Sequence, residues 1–309
     1  MFTAGKGRLA AIGAVVVGAA LALSGCASSN PLTTGDSGAS SKTTLIVGSQ
    51  QYYSNEIVAE IYSQALEANG FTVDRQFNIG QREVYLPEIE AGKIDVFPEY
   101  IGSLLQALDK SAKGGTADEV YSALTAKLPD GLRVLDKAAA ADQNSWTVTK
   151  AFADKYHLTD VASLKNVTEP IIVGGNSELE TRPYGPAALK AKYGITTAGF
   201  KAVEDSGGPL TVKALVDNEI QIANIYTADP NIKSNDLVAL ADPDGLFFPD
   251  NLAPVVSKKV DSKAADVLNK VQAKLSQDDL VSMNAESVND KKSAAVIAKA
   301  WLAKVGIVK

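Results

Sequence analysis

The chain has 309 residues, 30 of them basic and 36 acidic, with one histidine and one cysteine. The acidic balance argues against nucleic acid or anionic lipid as the main partner, and a lone cysteine excludes an intramolecular disulfide framework. A lone histidine excludes HExxH metal sites and makes any His-dependent triad rest on His157.

At the N-terminus, Lys6 and Arg8 precede the apolar run Leu9 to Leu23, which closes on Ser24-Gly25-Cys26. This pattern predicts a signal peptide over 1–25, too short for a permanent bilayer helix, which takes about 20 residues. Leu23-Ser24-Gly25-Cys26 resembles a bacterial lipobox, which implies lipidation at Cys26 and a place on the extracytoplasmic face of the cell membrane. Cleavage removes Lys6 and Arg8, leaving 28 basic against 36 acidic residues and a net charge of −8. The Ser-, Thr- and Gly-rich stretch over 26–42 reads as a flexible tether. Its "GDSG" (Gly35 to Gly38) is a poor serine nucleophile, because nothing in a tether holds an oxyanion hole.

The folded body begins near Thr43. A strand at Leu45 to Gly48, a helix from about Ser54 to Asn69 and a strand from Phe71 to Phe77 make a βαβ-like unit. In that helix Ile57, Val58, Ile61, Tyr62, Ala65 and Leu66 recur at helical spacing and form one apolar face. A second helix around Val84 to Ala91 leads to a strand, Ile94 to Phe97, that meets Pro98-Glu99-Tyr100. Proline lacks an N–H and fixes φ, so the strand is expected to end there and turn Tyr100 toward a ligand at its tip.

The alternation continues through strands near Trp146 to Val148 and Pro170 to Gly175. Helices around Ala187 to Lys192 and Leu210 to Asn218 follow, with a strand from Ile220 to Tyr226. Three helical stretches start near Ser262, Gln277 and Lys291, and in the last Val296, Ile297, Ala300 and Trp301 form an apolar face with Trp301 as a packing anchor. Short apolar strands alternating with helices predict an α/β fold with parallel sheets covered on both faces. Loop-rich interruptions at Ala138 to Trp146 and Asp242 to Pro254 are candidate crossings between two lobes. The expected organisation is a first lobe over 43–143, a second over 144–248 and a return to the first over 249–309.

No phosphate-cradling loop is present, and "VGGNSE" (Val173 to Glu178) lacks the third glycine of a dinucleotide fingerprint. Asn176 or Ser177 reads instead as a helix N-cap, with Ser177 and Glu180 spaced as a capping box. These features favour a receptor over a catalyst, with no cofactor and no metal.

Three stretches, "GSQQYYSNEIVAEIYSQALEANG", "LPEIEAGKIDVFPEYIGS" and "MNAESVNDKKSAAVIAKAWLAKVGI", together resemble the osmoprotectant (glycine betaine, carnitine, choline) substrate-binding proteins of ABC importers. The resemblance implies a type II periplasmic-binding-protein fold, with two lobes, each a mostly parallel sheet flanked by helices, and a ligand cleft between them. It also implies a monomeric, non-enzymatic receptor that delivers a quaternary-ammonium solute to permease and ATPase subunits. Such a cation has no N–H to donate, so aromatic faces must supply the attraction, at about 0.5–2 kcal/mol each.

Carried residue by residue, the resemblance makes Tyr100, Trp146 and Tyr226 cage walls, with Asn144 opening the short Asn-x-aromatic motif. Ser103 and Arg182 become the carboxylate donors, the latter by a bidentate guanidinium. Two positions depart from the pattern: Gln50 replaces a lysine, and Val212 replaces an aromatic residue, a gap that Tyr52 or Tyr53 is placed to fill. Three alternatives stand beside this reading. Arg182 pairs on the surface with Glu178 or Glu180; the same fold binds a solute that is not an ammonium compound; or the chain is an envelope esterase dependent on His157.

Overall fold

The computed structural model describes residues 44–308; the expected signal peptide, lipidation at Cys26 and tether lie outside the described residues. The chain runs β1 (Thr44–Gly48), α1 (Tyr53–Ala68), β2 (Thr72–Gln76), α2 (Arg82–Glu90), β3 (Val96–Tyr100), α3 (Ile101–Leu108), α4 (Ala117–Lys127) and β4 (Leu132–Val134). It then makes β5 (Asn144–Thr149), α5 (Lys150–Tyr156), β6 (Ile172–Gly175), α6 (Pro186–Tyr193), β7 (Gly199–Ala202), α7 (Pro209–Val216), β8 (Ile222–Tyr226), α8 (Asn231–Ser234) and β9 (Leu237–Ala239). Finally β10 (Leu252–Ser257), α9 (Ser262–Gln272), α10 (Gln277–Val288) and α11 (Ala294–Lys304) complete it.

These strands form two five-stranded sheets, ordered β2-β1-β3-β10-β4 and β7-β6-β8-β5-β9. In each, four strands run the same way, as expected, and one runs against them: β10 is antiparallel to β3 and β4, and β5 is antiparallel to β8 and β9. The physical reason is the route of the chain. Strands joined by a helical crossover enter parallel, whereas β5 and β10 arrive from the opposite lobe and enter from the other end.

The apolar face of α1 is buried as its spacing predicts, and Trp301 of α11 packs into the same core. Pro98, by contrast, does not end its strand; it sits at the centre of β3, directly opposite Pro254 of β10. The Pro98 carbonyl accepts from Asn55 Nδ2 at 2.8 Å, and the Pro254 carbonyl accepts from the Leu135 amide at 2.9 Å. Both carbonyls therefore point away from each other, marking a non-hydrogen-bonded pair in which neither missing N–H is needed between these strands.

The two segments between the sheets run side by side. Asp142 N donates to the Asp250 carbonyl at 3.1 Å, and Leu252 N donates to the Ala140 carbonyl at 3.0 Å. Gly102 permits this arrangement at the start of α3, since a Cβ there would come within 2.6 Å of both Phe248 and the Pro249 carbonyl. Among the described residues no helix is long and apolar enough to cross a membrane.

Candidate ligand-binding site

The chain ends of β1, β3, β5 and β8 converge between the sheets on a cavity of ≈ 30 Å³, small beside the roughly 300–1,000 Å³ of drug-sized pockets. Gln50, Tyr100, Ser103, Asn144, Arg182 and Tyr226, all expected from the sequence, line it. Asn144 and Tyr226 are register partners across β5 and β8, so one pair of strand ends delivers both.

Glu99 of the Pro-Glu-Tyr motif holds this end of β3 in place. Its carboxylate takes a bidentate ion pair from Arg82 (2.9 and 3.2 Å), the Tyr85 hydroxyl at 2.8 Å and the Tyr100 amide at 2.9 Å. With both partners buried, the pair is sustained by these extra donors and not by Coulomb attraction alone. The Arg82 charge is thereby neutralised beside the cavity.

Ser103 is committed differently from the expectation. Its hydroxyl donates to Asp250 Oδ2 at 2.5 Å and its amide donates to Oδ1 at 2.6 Å, while Asn144 Nδ2 donates to the Ser103 hydroxyl at 3.1 Å. The hydroxyl proton is thus already given to a protein carboxylate. Asp142, from the adjoining segment, accepts from the Tyr52 hydroxyl at 2.8 Å and from the Ala228 amide at 2.8 Å. Burial pushes the Asp142 carboxyl up to about 7 and that of Asp250 up to about 6. Neither carboxylate has a basic partner among the described residues, so the lining has more acid than unpaired base.

Arg182 donates across the cleft to Glu83 at 3.0 Å and lies 3.9 Å from Glu178. The surface pairing considered for it therefore exists, with Glu83 as the nearer partner, yet its Nε is buried without a hydrogen-bond partner in the protein. Tyr100 Oη and Asn144 Oδ1 share that condition. Three buried polar atoms on residues lining one cavity are thus without a partner in the protein, where buried polar groups are ordinarily hydrogen-bonded.

Trp146 does not line the cavity. It is 0% exposed and packs 6.0 Å, centroid to centroid, from Phe247 within the core of the second lobe. Trp146 and Asn144 share a face of β5, but two residues along the strand that face has passed from cleft to core. Tyr184 supplies a ring instead: it lines the cavity and its ring lies 5.6 Å from that of Phe247. Val212 is buried in the α7 core with Ile220 and Ile225.

Tyr53 lines a separate depression at the cleft mouth, donating to Asp229 at 2.9 Å. The ring of Tyr52, its neighbour, lies 4.8 Å from that of Tyr226, tilted by 44°, and backs that wall. Asn176 is the N-cap of a 3₁₀ turn, Ser177–Thr181, but makes no cap bond; its side chain accepts from the Ser206 amide at 2.8 Å. The Ser177 and Glu180 capping box therefore does not form. Ser206 is in turn tied to the first lobe, accepting from Gln81 at 3.0 Å and donating to the Gln51 carbonyl at 2.9 Å. Gly207 takes φ +76° beside it, where a Cβ would meet the Asn224 carbonyl at 2.8 Å.

The lobes are thus bridged by Arg182–Glu83, Gln81–Ser206, Tyr53–Asp229 and Asn144–Ser103, the geometry of a closed cleft. His157 is an exposed cap of α5 and takes no part in it. Among the described residues no group of three or more His, Cys, Asp or Glu is placed to hold a metal ion.

A family model described as the substrate-binding domain of ABC-type glycine betaine transport systems matches residues 43–304. An ergothioneine transport permease/ergothioneine binding protein from Helicobacter pylori is 24% identical over 85% of this chain, which spans only 48% of that relative's length. A carnitine transport binding protein from Listeria monocytogenes is 24% identical over 86% of this chain and 88% of its own. The crystal structure of a glycine betaine/carnitine/choline ABC transporter protein superposes with a TM-score of 0.69, covering 85% of this chain and 99% of that one at 21% identity.

Proposed function

Since the chain belongs to the family of substrate-binding domains of ABC-type glycine betaine transport systems, we propose that its interlobe cavity captures a quaternary-ammonium zwitterion. The family consists of extracytoplasmic solute receptors, not enzymes, so an esterase reading is set aside. In the proposed complex Tyr100, Tyr184 and Tyr226 face the ammonium, and Asp142 and Asp250 supply the acidic surroundings that a permanent cation requires. Arg182 takes the carboxylate through its unpartnered Nε, with Asn144 Oδ1 and Tyr100 Oη accepting or donating to the solute's remaining polar groups.

The observation that carries this reading is the coincidence, in one small cavity, of tyrosine rings, two carboxyl groups without a basic partner and three unpartnered polar atoms. Closing the lobes would strip water from the cation against the rings and present a closed receptor to its permease. Lipidation at Cys26 would hold the receptor at the membrane that contains that permease. The relatives named for carnitine and ergothioneine transport make betaines larger than glycine betaine part of the candidate set.

Nuclear Overhauser contacts test the arrangement directly. The N-methyl protons of bound glycine betaine or carnitine should show cross-peaks to the ring protons of Tyr100, Tyr184 and Tyr226. A bound betaine whose methyl groups contact none of these rings would refute it.

A further inference from the structure

We infer that the solute's cation and protons compete for the two carboxyl groups of the inner cavity, so that capture expels a proton and mild acid releases the solute. This competition rests on the ammonium reading above and adds a regulation to that site.

Asp142 and Asp250 stand on the two segments that cross between the sheets, joined there by the bond from the Asp142 amide to the Asp250 carbonyl. Both are buried and both line the inner cavity. The two guanidinium groups of that lining are already engaged, Arg82 by Glu99 at 2.9 Å and Arg182 by Glu83 at 3.0 Å. A buried carboxylate without a cation is unfavourable, and taking up a proton removes its charge. A quaternary ammonium compensates the same charge without carrying a proton of its own. Each therefore weakens the hold of the other, and by reciprocal amounts.

The neighbours of the two groups set the direction. Burial is the largest influence on both, aided at Asp142 by the charges of Asp229 and Asp250 and at Asp250 by that of Glu99. Opposing it are the donors Tyr52 and the Ala228 amide at Asp142, and Ser103 with the Arg82 charge at Asp250. The balance leaves Asp142 at about 7 and Asp250 at about 6, within reach of mild acid. Tyr53, Tyr100 and Tyr226 stay neutral beside them, because burial holds their hydroxyls above the ordinary tyrosine range.

Other titratable groups lack one of these conditions. Glu178 lines the cavity but lies 3.9 Å from Arg182, while Asp229 is outside the lining and accepts from Tyr53 and the Asn231 amide. His157 is exposed at the end of α5 and does not line the cavity. Capture is then a balanced exchange: a carboxyl O–H breaks, its proton passes to the buffer, and the carboxylate stays with the cation.

Calorimetric titration of the protein with choline and glycine betaine at about pH 6.5, in phosphate and in ACES buffer, counts the protons expelled. The two buffers differ widely in ionisation enthalpy, and neither solute titrates near that pH. About half a proton or more should leave per solute bound, and affinity should rise about tenfold from about pH 5.5 to 7.5. Asp142→Asn, which keeps an acceptor for the Ala228 amide, should expel fewer protons and flatten the profile. The wild-type buffer series decides without the variant if that variant misfolds. Binding with no proton expelled, or a release and pH profile that Asp142→Asn leaves as they were, would overturn the competition while the ammonium reading stands. If no ammonium compound binds at all, both fall together.

Discussion

Asp250 accepts hydrogen bonds from both the amide and the hydroxyl of Ser103, at 2.6 and 2.5 Å, although the two residues lie 147 positions apart. The contact joins the start of α3 to the segment by which the chain returns to the first lobe. It also turns a hydroxyl expected to grip a solute's anion into a support for a protein carboxylate, making this wall of the cavity acidic.

A cation held by rings should respond to removal of one ring's π face. Tyr226→Leu keeps apolar bulk beside Tyr52 but loses the quadrupole, and is expected to weaken ammonium binding by about 0.5–2 kcal/mol. Isothermal titration of choline and glycine betaine against both proteins measures this. Unchanged affinity would remove Tyr226 from the cage.

Arg182 distinguishes the anionic end from the cationic one. Arg182→Gln should cost a carboxylate-bearing betaine about 1.5–3 kcal/mol, the worth of a hydrogen bond to a charged group. Choline, which has no carboxylate, should lose little. Equal losses for choline and glycine betaine would mean that Arg182 serves the closed cleft through Glu83 and not the solute.

Trp146 belongs to the core of the second lobe. Trp146→Phe is expected to lower unfolding free energy by about 0.5–3 kcal/mol, the usual range for a shape change in a packed interior. Its solute affinity should match the wild type. A loss of affinity without a loss of stability would return Trp146 to the cage.

The acidic pair predicts the direction of pH dependence. Burial is the largest cause of the rise in the Asp142 carboxyl to about 7, helped by the charges of Asp229 and Asp250 and opposed by the hydrogen bonds from Ala228 and Tyr52. The folded state therefore keeps a proton that the unfolded chain releases near pH 4. Where the native state binds more protons than the unfolded one, stability falls as pH rises. Asp250, raised to about 6, acts in the same sense. Thermal midpoints should fall from about pH 5 to 8 in the wild type and fall less in Asp142→Asn. Parallel curves for the two proteins would show that Asp142 does not carry the effect.

Much of this site is visible in the sequence because it sits where strands end. Tyr100 closes β3, Tyr226 closes β8 and Asn144 opens β5, and a strand-and-helix reading places all three near one edge. Asp142 and Asp250 are different: each lies in a loop that looks like a mere crossing, and only the side-by-side course of the two segments makes them neighbours. Tyr184 stands two residues from Arg182, yet nothing in periodicity separates a cavity ring from a core ring there. Trp146 shows the converse limit, since strand alternation gives its face but not the depth at which cleft becomes core. Pro98 misleads for a similar reason, because whether a proline interrupts a sheet depends on the register of its partner strand.

The proposed role requires that the interlobe cavity bind a quaternary-ammonium solute. Isothermal titration of the purified protein with glycine betaine, choline, carnitine and trimethylated amino acids tests it most directly. At least one should bind with a Kd on the order of micromolar or tighter, near −8 kcal/mol. If all of them bind no tighter than about millimolar, the cavity recognises some other chemistry.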